Sequence, residues 1–166
     1  MNFTNIIQEH HFALFRSISF ISISFLAHKG KVGRKARKGK VSEEGSCMTL
    51  APGRQPVTVD LAAMHEIYAV VFWPFLKTAR VCFDVIAQLA DDAGFSKKVR
   101  TLCNDDHDNP SKLGAGKDIH YVEASEGRLV DAKRAVARYV RLYSNGNHAD
   151  ERNHYVEIEV FGRPVK

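Results

Sequence analysis

The chain has 166 residues, 45% of them hydrophobic and 10% aromatic, which is enough to bury the core of one domain beside an extension. The formal net charge is +5, but residues 1–45 hold eight Lys or Arg against three Glu, while residues 46–166 hold sixteen of each sign. The basic balance therefore belongs to one short stretch and does not mark the folded part as a nucleic-acid binder.

Phe12 to Ala27 is the most apolar early stretch. It is shorter than the roughly 20 residues a membrane-spanning helix needs, and it contains Arg16, so no transmembrane span is expected. Positive charge follows this stretch instead of preceding it, so a secretory signal peptide is not convincing. Ile18 to Phe25 largely alternates apolar residues with serine, which is a strand period and an aggregation hazard if left unpaired. Lys29 to Lys40 carries seven basic residues and three glycines. That composition builds no core and reads as a solvated linker, with no aromatic to stack on bases, so nucleic acid is an unlikely partner. Residues 1–41 are read as a mostly disordered extension and residues 42–166 as the domain. Deleting 1–41 is expected to leave the melting temperature within a few degrees.

The folded part reads as strands. Val57 to Leu61 alternates cleanly; Glu66 to Trp73 is a continuous β-branched and aromatic run that Pro74 ends. Val81 to Leu89 follows, then a turn at Asp91–Gly94, a short strand at Val99–Cys103 and another at Ile119–Ala124. Val136 to Ser144 leads into the turn Ser144-Asn145-Gly146-Asn147, and Tyr155 to Phe161 closes the chain's pattern with Val156, Ile158 and Val160 on one face. Helical periodicity is confined to weak stretches near Lys77–Arg80 and Asp131–Arg138. Seven short strands with no long amphipathic helix predict an all-β sandwich or barrel. Cys47, Cys82 and Cys103 are an odd count without C-x-x-C spacing, so they read as buried or half-buried thiols, with one pairing left open.

Ala137 to Gly162, ARYVRLYSNGNHADERNHYVEIEVFG, resembles the closing hairpin of the discoidin-like domains, also called coagulation-factor type C domains. Asp60-Leu61 with Glu66 to Val70 is similar to that family's earlier segment, and Leu102 to Tyr121 is similar to a bacterial subgroup with an Asn/Asp-rich loop. The resemblance covers about residues 46–163. It implies a galactose-binding-like jelly-roll β-sandwich, extracytoplasmic or secreted, whose loops at one end hold a ligand: a sugar, a phospholipid head group or a protein. It also implies a structural calcium, with Glu157 on the closing strand as a candidate ligand. Family members begin with one or two further strands; here either residues 12–27 replace them or the domain lacks them. After the tryptophan, this chain has Trp73-Pro74-Phe75-Leu76 where the subgroup carries polar or aromatic residues.

Two polar clusters are candidate ligand sites. Asn104, Asp105, Asp106, His107, Asp108 and Asn109 offer oxygens suited to calcium or to sugar hydroxyls, though no EF-hand spacing is present. Asn145, Asn147, His148, Asn153, His154 and Tyr155 offer amide and imidazole hydrogen bonds plus a flat ring for a pyranose. His154 is the preferred member. The competing expectation for both clusters is turn chemistry and core packing. Arg138 and Arg141 read as structural, with Arg141 a potential cross-strand partner of Glu157, and Trp73 as core more than as a sugar platform. No catalytic motif is present, and the chain is read as a non-catalytic carbohydrate-binding module, with a protein–protein or cell-surface adhesion module, or a truncated domain without ligand, as alternatives.

Overall fold

The computed structural model describes the backbone of residues 19–24, and residues 48–74, 79–122 and 126–165. The basic tract 29–40, Cys47, Phe75 and Leu76 lie outside the described residues. Among the described residues there are ten strands and no helix: β1 (Ser19–Ser24), β2 (Met48–Leu50), β3 (Gln55–Trp73), β4 (Val81–Cys82), β5 (Ile86–Ala90), β6 (Arg100–Asn104), β7 (Tyr121–Val122), β8 (Arg128–Ser144), β9 (Asn153–Tyr155) and β10 (Glu157–Pro164).

The long strands β3 and β8 form the frame. Gln55–Asp60 pairs with Tyr139–Ser144, and His65–Phe72 pairs with Arg128–Ala137. β5 and then β6 extend from the C-terminal half of β8, and β10 and then β1 extend from the C-terminal half of β3. The hydrogen-bonded order β1-β10-β3-β8-β5-β6 thus folds at the two bends into a sandwich around one core.

The bends have a local cause. Asp60 Oδ1 accepts a hydrogen bond from the Ala62 N–H (2.8 Å), and Asp131 Oδ1 accepts one from the Lys133 N–H (2.7 Å). Ala62, Lys133 and Arg134 take positive φ values of 69°, 51° and 60°. Asp side chains that bond the backbone two residues on stabilise such turns. The register shifts at each of these bends, between Asp60 and His65 and between Ile67 and Ala69, and the buried positions change along both strands. Val57, Val59 and Leu61 are buried at odd positions and Val70 and Phe72 at even ones; on β8 the buried set moves from Val130 and Ala132 to Ala135 and Ala137, then to Val140 and Leu142. The weak helical period expected at Asp131–Arg138 is this effect, because bulges give apolar residues a spacing of three inside a strand. Arg138 clamps the bend with two bonds to the Asp60 carboxylate, at 2.8 and 2.9 Å.

The strands expected at Val57–Leu61 and Glu66–Trp73 are one bent strand. The one expected at Val81–Leu89 is broken at Asp84, whose φ is 52°. Of that at Ile119–Ala124, Tyr121–Val122 is strand and Ile119 is 88% exposed, while residues 123 and 124 lie outside the described residues. Ser19–Ser24 pairs antiparallel with Glu157–Gly162 along the outer edge of β10. The sheet therefore takes in a segment placed in the extension by a boundary at residues 41/42.

Trp73 is half-buried, and its indole lies over Gly127, where a Cβ would come within 2.5 Å of the ring. Gly127 has a φ of +74°, so both the close approach and the backbone demand glycine there. Cys82 and Cys103 are buried, and burial pushes the Cys103 thiol up to about 11.

Candidate functional site

Loops at one end of the sandwich carry the two polar clusters, and the segment Val81–Asp84 joins them. Phe83 N–H donates to the Gly146 carbonyl (3.1 Å), Asn145 N–H to the Phe83 carbonyl (3.0 Å) and His148 N–H to the Val81 carbonyl (3.1 Å). The Asn145 amide donates to Asp84 Oδ2 at 2.8 Å. Asp84, Asp106 and Asp108 in turn bring carboxylate oxygens within 4.8 Å of one another.

The Asn104–Asn109 cluster is built from the inside out. Asn104 organises the loop: its side chain donates to the Gly114 carbonyl (2.8 Å) and accepts from the Asp106 N–H (2.9 Å), while its own carbonyl accepts from Lys117 and Asp118. Gly116 is forced by the same packing, since a Cβ there would sit 2.2 Å from the Asn104 carbonyl oxygen. Asn109 Oδ1 accepts from the Gly114 N–H. Asp105 is fully buried, with Oδ1 accepting from Val85 N–H (2.5 Å) and Oδ2 from Tyr121 N–H (3.2 Å) and Arg128 Nη1 (3.0 Å). Asp106 is also at 0% exposure, with Oδ2 accepting from Ser111 N–H. His107 and Asp108 are exposed.

The second cluster is largely interior. Asn153, 1% exposed, accepts from Ser144 Oγ and Gly146 N–H and donates to the carbonyls of Ala51 and Gly53, all within 2.9 Å. The Tyr155 hydroxyl meets Ser144 Oγ at 3.0 Å, and burial pushes its ionisation well up. Both His154 ring nitrogens are engaged, one with Asp150 Oδ2 (3.1 Å) and one with Thr49 Oγ1 (3.2 Å). Asn147 Oδ1 accepts from the N–H groups of Ala149 and Asp150, closing the turn.

These placements divide the expected residues into interior and surface members. Asp105, Asn153 and Tyr155 are core groups that satisfy backbone and hydroxyl partners, out of reach of an external ligand. Asn104, Asn147 and His154 hold loops in shape. His107, Asp108 and Asn145 remain at the surface of the joined clusters. Missing from the expected set were Phe83, Asp84 and His120. The His120 ring packs edge-on to Phe83 (centroids 6.1 Å) and tilts against His107 (4.7 Å). Phe83, His120, His107, Asp108, Asp84 and Asn145 therefore form a continuous chain of neighbours.

Arg141 donates to Thr58 Oγ1 and to the Ala93 carbonyl, both at 2.8 Å, and stacks on Phe95 at 3.8 Å; these are its partners in place of the expected Glu157. Glu157 is buried on β10, yet the one set of three carboxylates close enough to share an ion among the described residues excludes it.

Its neighbour Glu159 has a measurable consequence. Burial, and then the charge of Glu157, push Glu159 up to about 7 from an ordinary 4.5. The native state therefore holds a proton that the unfolded state releases, so this group's contribution is full below pH 4.5 and is lost as pH rises through about 7. Glu159→Gln is expected to raise stability near pH 8 by about 1–2 kcal/mol, after allowing for partial solvation, and to leave it unchanged near pH 4. Urea titrations of both proteins at the two pH values measure this; equal stability near pH 8 would refute it.

No protein-family model matches the chain, and no curated protein sequence matches it. Solved structures do. A family 89 glycoside hydrolase from Clostridium perfringens, in complex with its substrate GlcNAc-α-1,4-galactose, matches 89% of this chain at 16% identity with a TM-score of 0.58. The chain spans only 14% of that enzyme's length. The CBM32 of AlyQ, in complex with 4,5-unsaturated mannuronic acid, matches 70% of this chain and 77% of its own at 14% identity and a TM-score of 0.51. A second C. perfringens CBM32, in complex with GalNAc-β-1,3-galactose, matches 86% of this chain and 94% of its own at 13% identity and a TM-score of 0.51. At these identities the likeness is one of fold, and the chain shares the all-β sandwich of these structures.

Proposed function

We propose that the chain is a non-catalytic carbohydrate-binding module of the bacterial discoidin-like kind, working outside the cytoplasm through the loop end of the sandwich. The observation that carries the reading is the continuous surface from Phe83 through His120, His107, Asp108 and Asp84 to Asn145. Rings offer an apolar face to the C–H side of a pyranose, while carboxylates, imidazoles and an amide offer the acceptors and donors that hydroxyl pairs need. Two solved neighbours of the same fold hold sugars in their complexes, which supports the ligand class. Affinity should be modest, since each sugar hydroxyl exchanges water for protein with little net gain.

A glycan array probed with the full chain, followed by calorimetry on the best ligand, tests this. Phe83→Ala and His107→Ala are each expected to weaken binding at least about tenfold, or about 1.4 kcal/mol, while the melting temperature moves little. A folded protein that binds no glycan would sink the reading. The alternative of a protein-adhesion module would then lead, because Ile119 and Val122 stand 88% and 59% exposed on either side of His120 and Tyr121.

A further inference from the structure

Asp84 and Asp108 border the proposed glycan surface, but neither sugar binding nor the fold explains why they converge with the buried Asp106. Asp84 sits in the break between β4 and β5; Asp106 and Asp108 lie in the loop after β6. Their oxygens lie within 4.8 Å of one another. Like charges at that spacing repel, the more so where solvent is excluded. Burial raises Asp84 above the ordinary carboxylate range; the Asn145 amide opposes this, and the charges of Asp106, Asp108 and Asp105 add to it.

A second observation is independent of the clustering. Asp106 is wholly buried, and while Oδ2 takes the Ser111 N–H, Oδ1 has no hydrogen-bond partner among the described residues. Folds rarely leave a buried carboxylate oxygen unsatisfied, because its desolvation is not offset. Arg128 is committed to Asp105, at 3.0 Å.

We propose that Asp84, Asp106 and Asp108 hold a hard divalent cation of the calcium class, with the unpartnered oxygen of Asp106 as its buried ligand and Asp108 closing the site from solvent. Calcium takes six to eight oxygen ligands and tolerates irregular geometry, so carboxylates, carbonyls and water can complete the shell. An all-carboxylate set selects such ions over the softer metals that prefer imidazole or thiolate. The cation would tie the β4–β5 break to the loop after β6, and the bond from Asn145 to Asp84 carries that tie to the third loop. The site differs from the closing-strand position at Glu157; it shares Asp84 and Asp108 with the proposed glycan surface, but the carboxylate convergence stands whatever that surface binds.

The test is calorimetric titration of the chelator-treated full chain with calcium chloride, in the absence of any sugar, with melting temperature read in parallel. One saturable site is expected, with a melting temperature raised by roughly 5 °C at about 100-fold excess over Kd. Magnesium, which demands a stricter octahedron, should raise it less. Asp108→Asn, at an exposed position, should weaken calcium at least about tenfold without lowering the melting temperature of the metal-free protein. Asp84→Asn should do the same, and Glu157→Gln should leave calcium affinity unchanged. No calcium binding by the folded chain, or equal affinity in the Asp84 and Asp108 variants, would overturn the proposal, as would loss of binding in the Glu157 variant alone. Glycan binding is measured separately, so either conclusion can fail without the other.

Discussion

Asp105→Ala is expected to cost about 3–5 kcal/mol, enough to leave the domain largely unfolded near physiological temperature. Asp105 has no exposed surface and spends its carboxylate on three donors from three parts of the chain: Val85 just before β5, Tyr121 in β7 and Arg128 at the start of β8. Removing it strands two buried N–H groups and leaves the guanidinium of Arg128, 14% exposed, without its counter-charge. Each loss alone is costly; together they unpin the whole loop from residue 104 to residue 121. Asp105→Asn keeps shape and one acceptor and should fall between the two. Urea denaturation followed by circular dichroism gives the numbers, and an Asp105→Ala protein within about 1 kcal/mol of the parent would show that the latch is dispensable.

Deleting residues 1–41 should be the second large effect, contrary to what composition predicts for them. β10 gives one row of its backbone groups to β3 and the other to β1, in a register running from Ser19↔Gly162 to Ser24↔Glu157. Without β1 the second row becomes an open edge on a strand carrying Ile158, Val160 and Phe161, the geometry that invites pairing with another chain. At a net 0.5–1.5 kcal/mol per hydrogen bond, less the entropy of ordering the segment, about 2–4 kcal/mol should be lost and self-association should appear. Melting temperature and sedimentation of the deleted chain decide it. A monomer that melts within a few degrees of the full chain would mean that β1 adds nothing to the sheet.

The strands were readable wherever burial alternates: Val57, Val59 and Leu61, or Ile158 and Val160, announce their face. β8 was half missed because two consecutive residues with positive φ, Lys133 and Arg134, break the period of two and imitate a helix. The two polar clusters were legible as loops, but their inward and outward members were not. Asn153 looks like a ligand residue until its partners, Ala51 and Gly53, arrive from about a hundred positions away. Local sequence does not distinguish an amide that meets water from one that satisfies a distant backbone. Asp84 escaped because it sits in an apolar run; the signal was a lone carboxylate between Phe83 and Val85, a polar group that a continuous buried strand cannot accommodate.

Because β3 and β8 run through both layers of the sandwich, neither layer is a separable folding unit. The ladder from Phe72↔Arg128 to Gln55↔Ser144 must close loops of many tens of residues before either layer gains its central pair. Such long-range pairing makes a slow search followed by all-or-none consolidation, with little to be gained from a half-formed state. The binding loops inherit this: their anchoring ends, at Ser144, Ile86 and Asn104, are set on the same shared ladder, so local opening at the loop tips need not propagate into the frame that carries them.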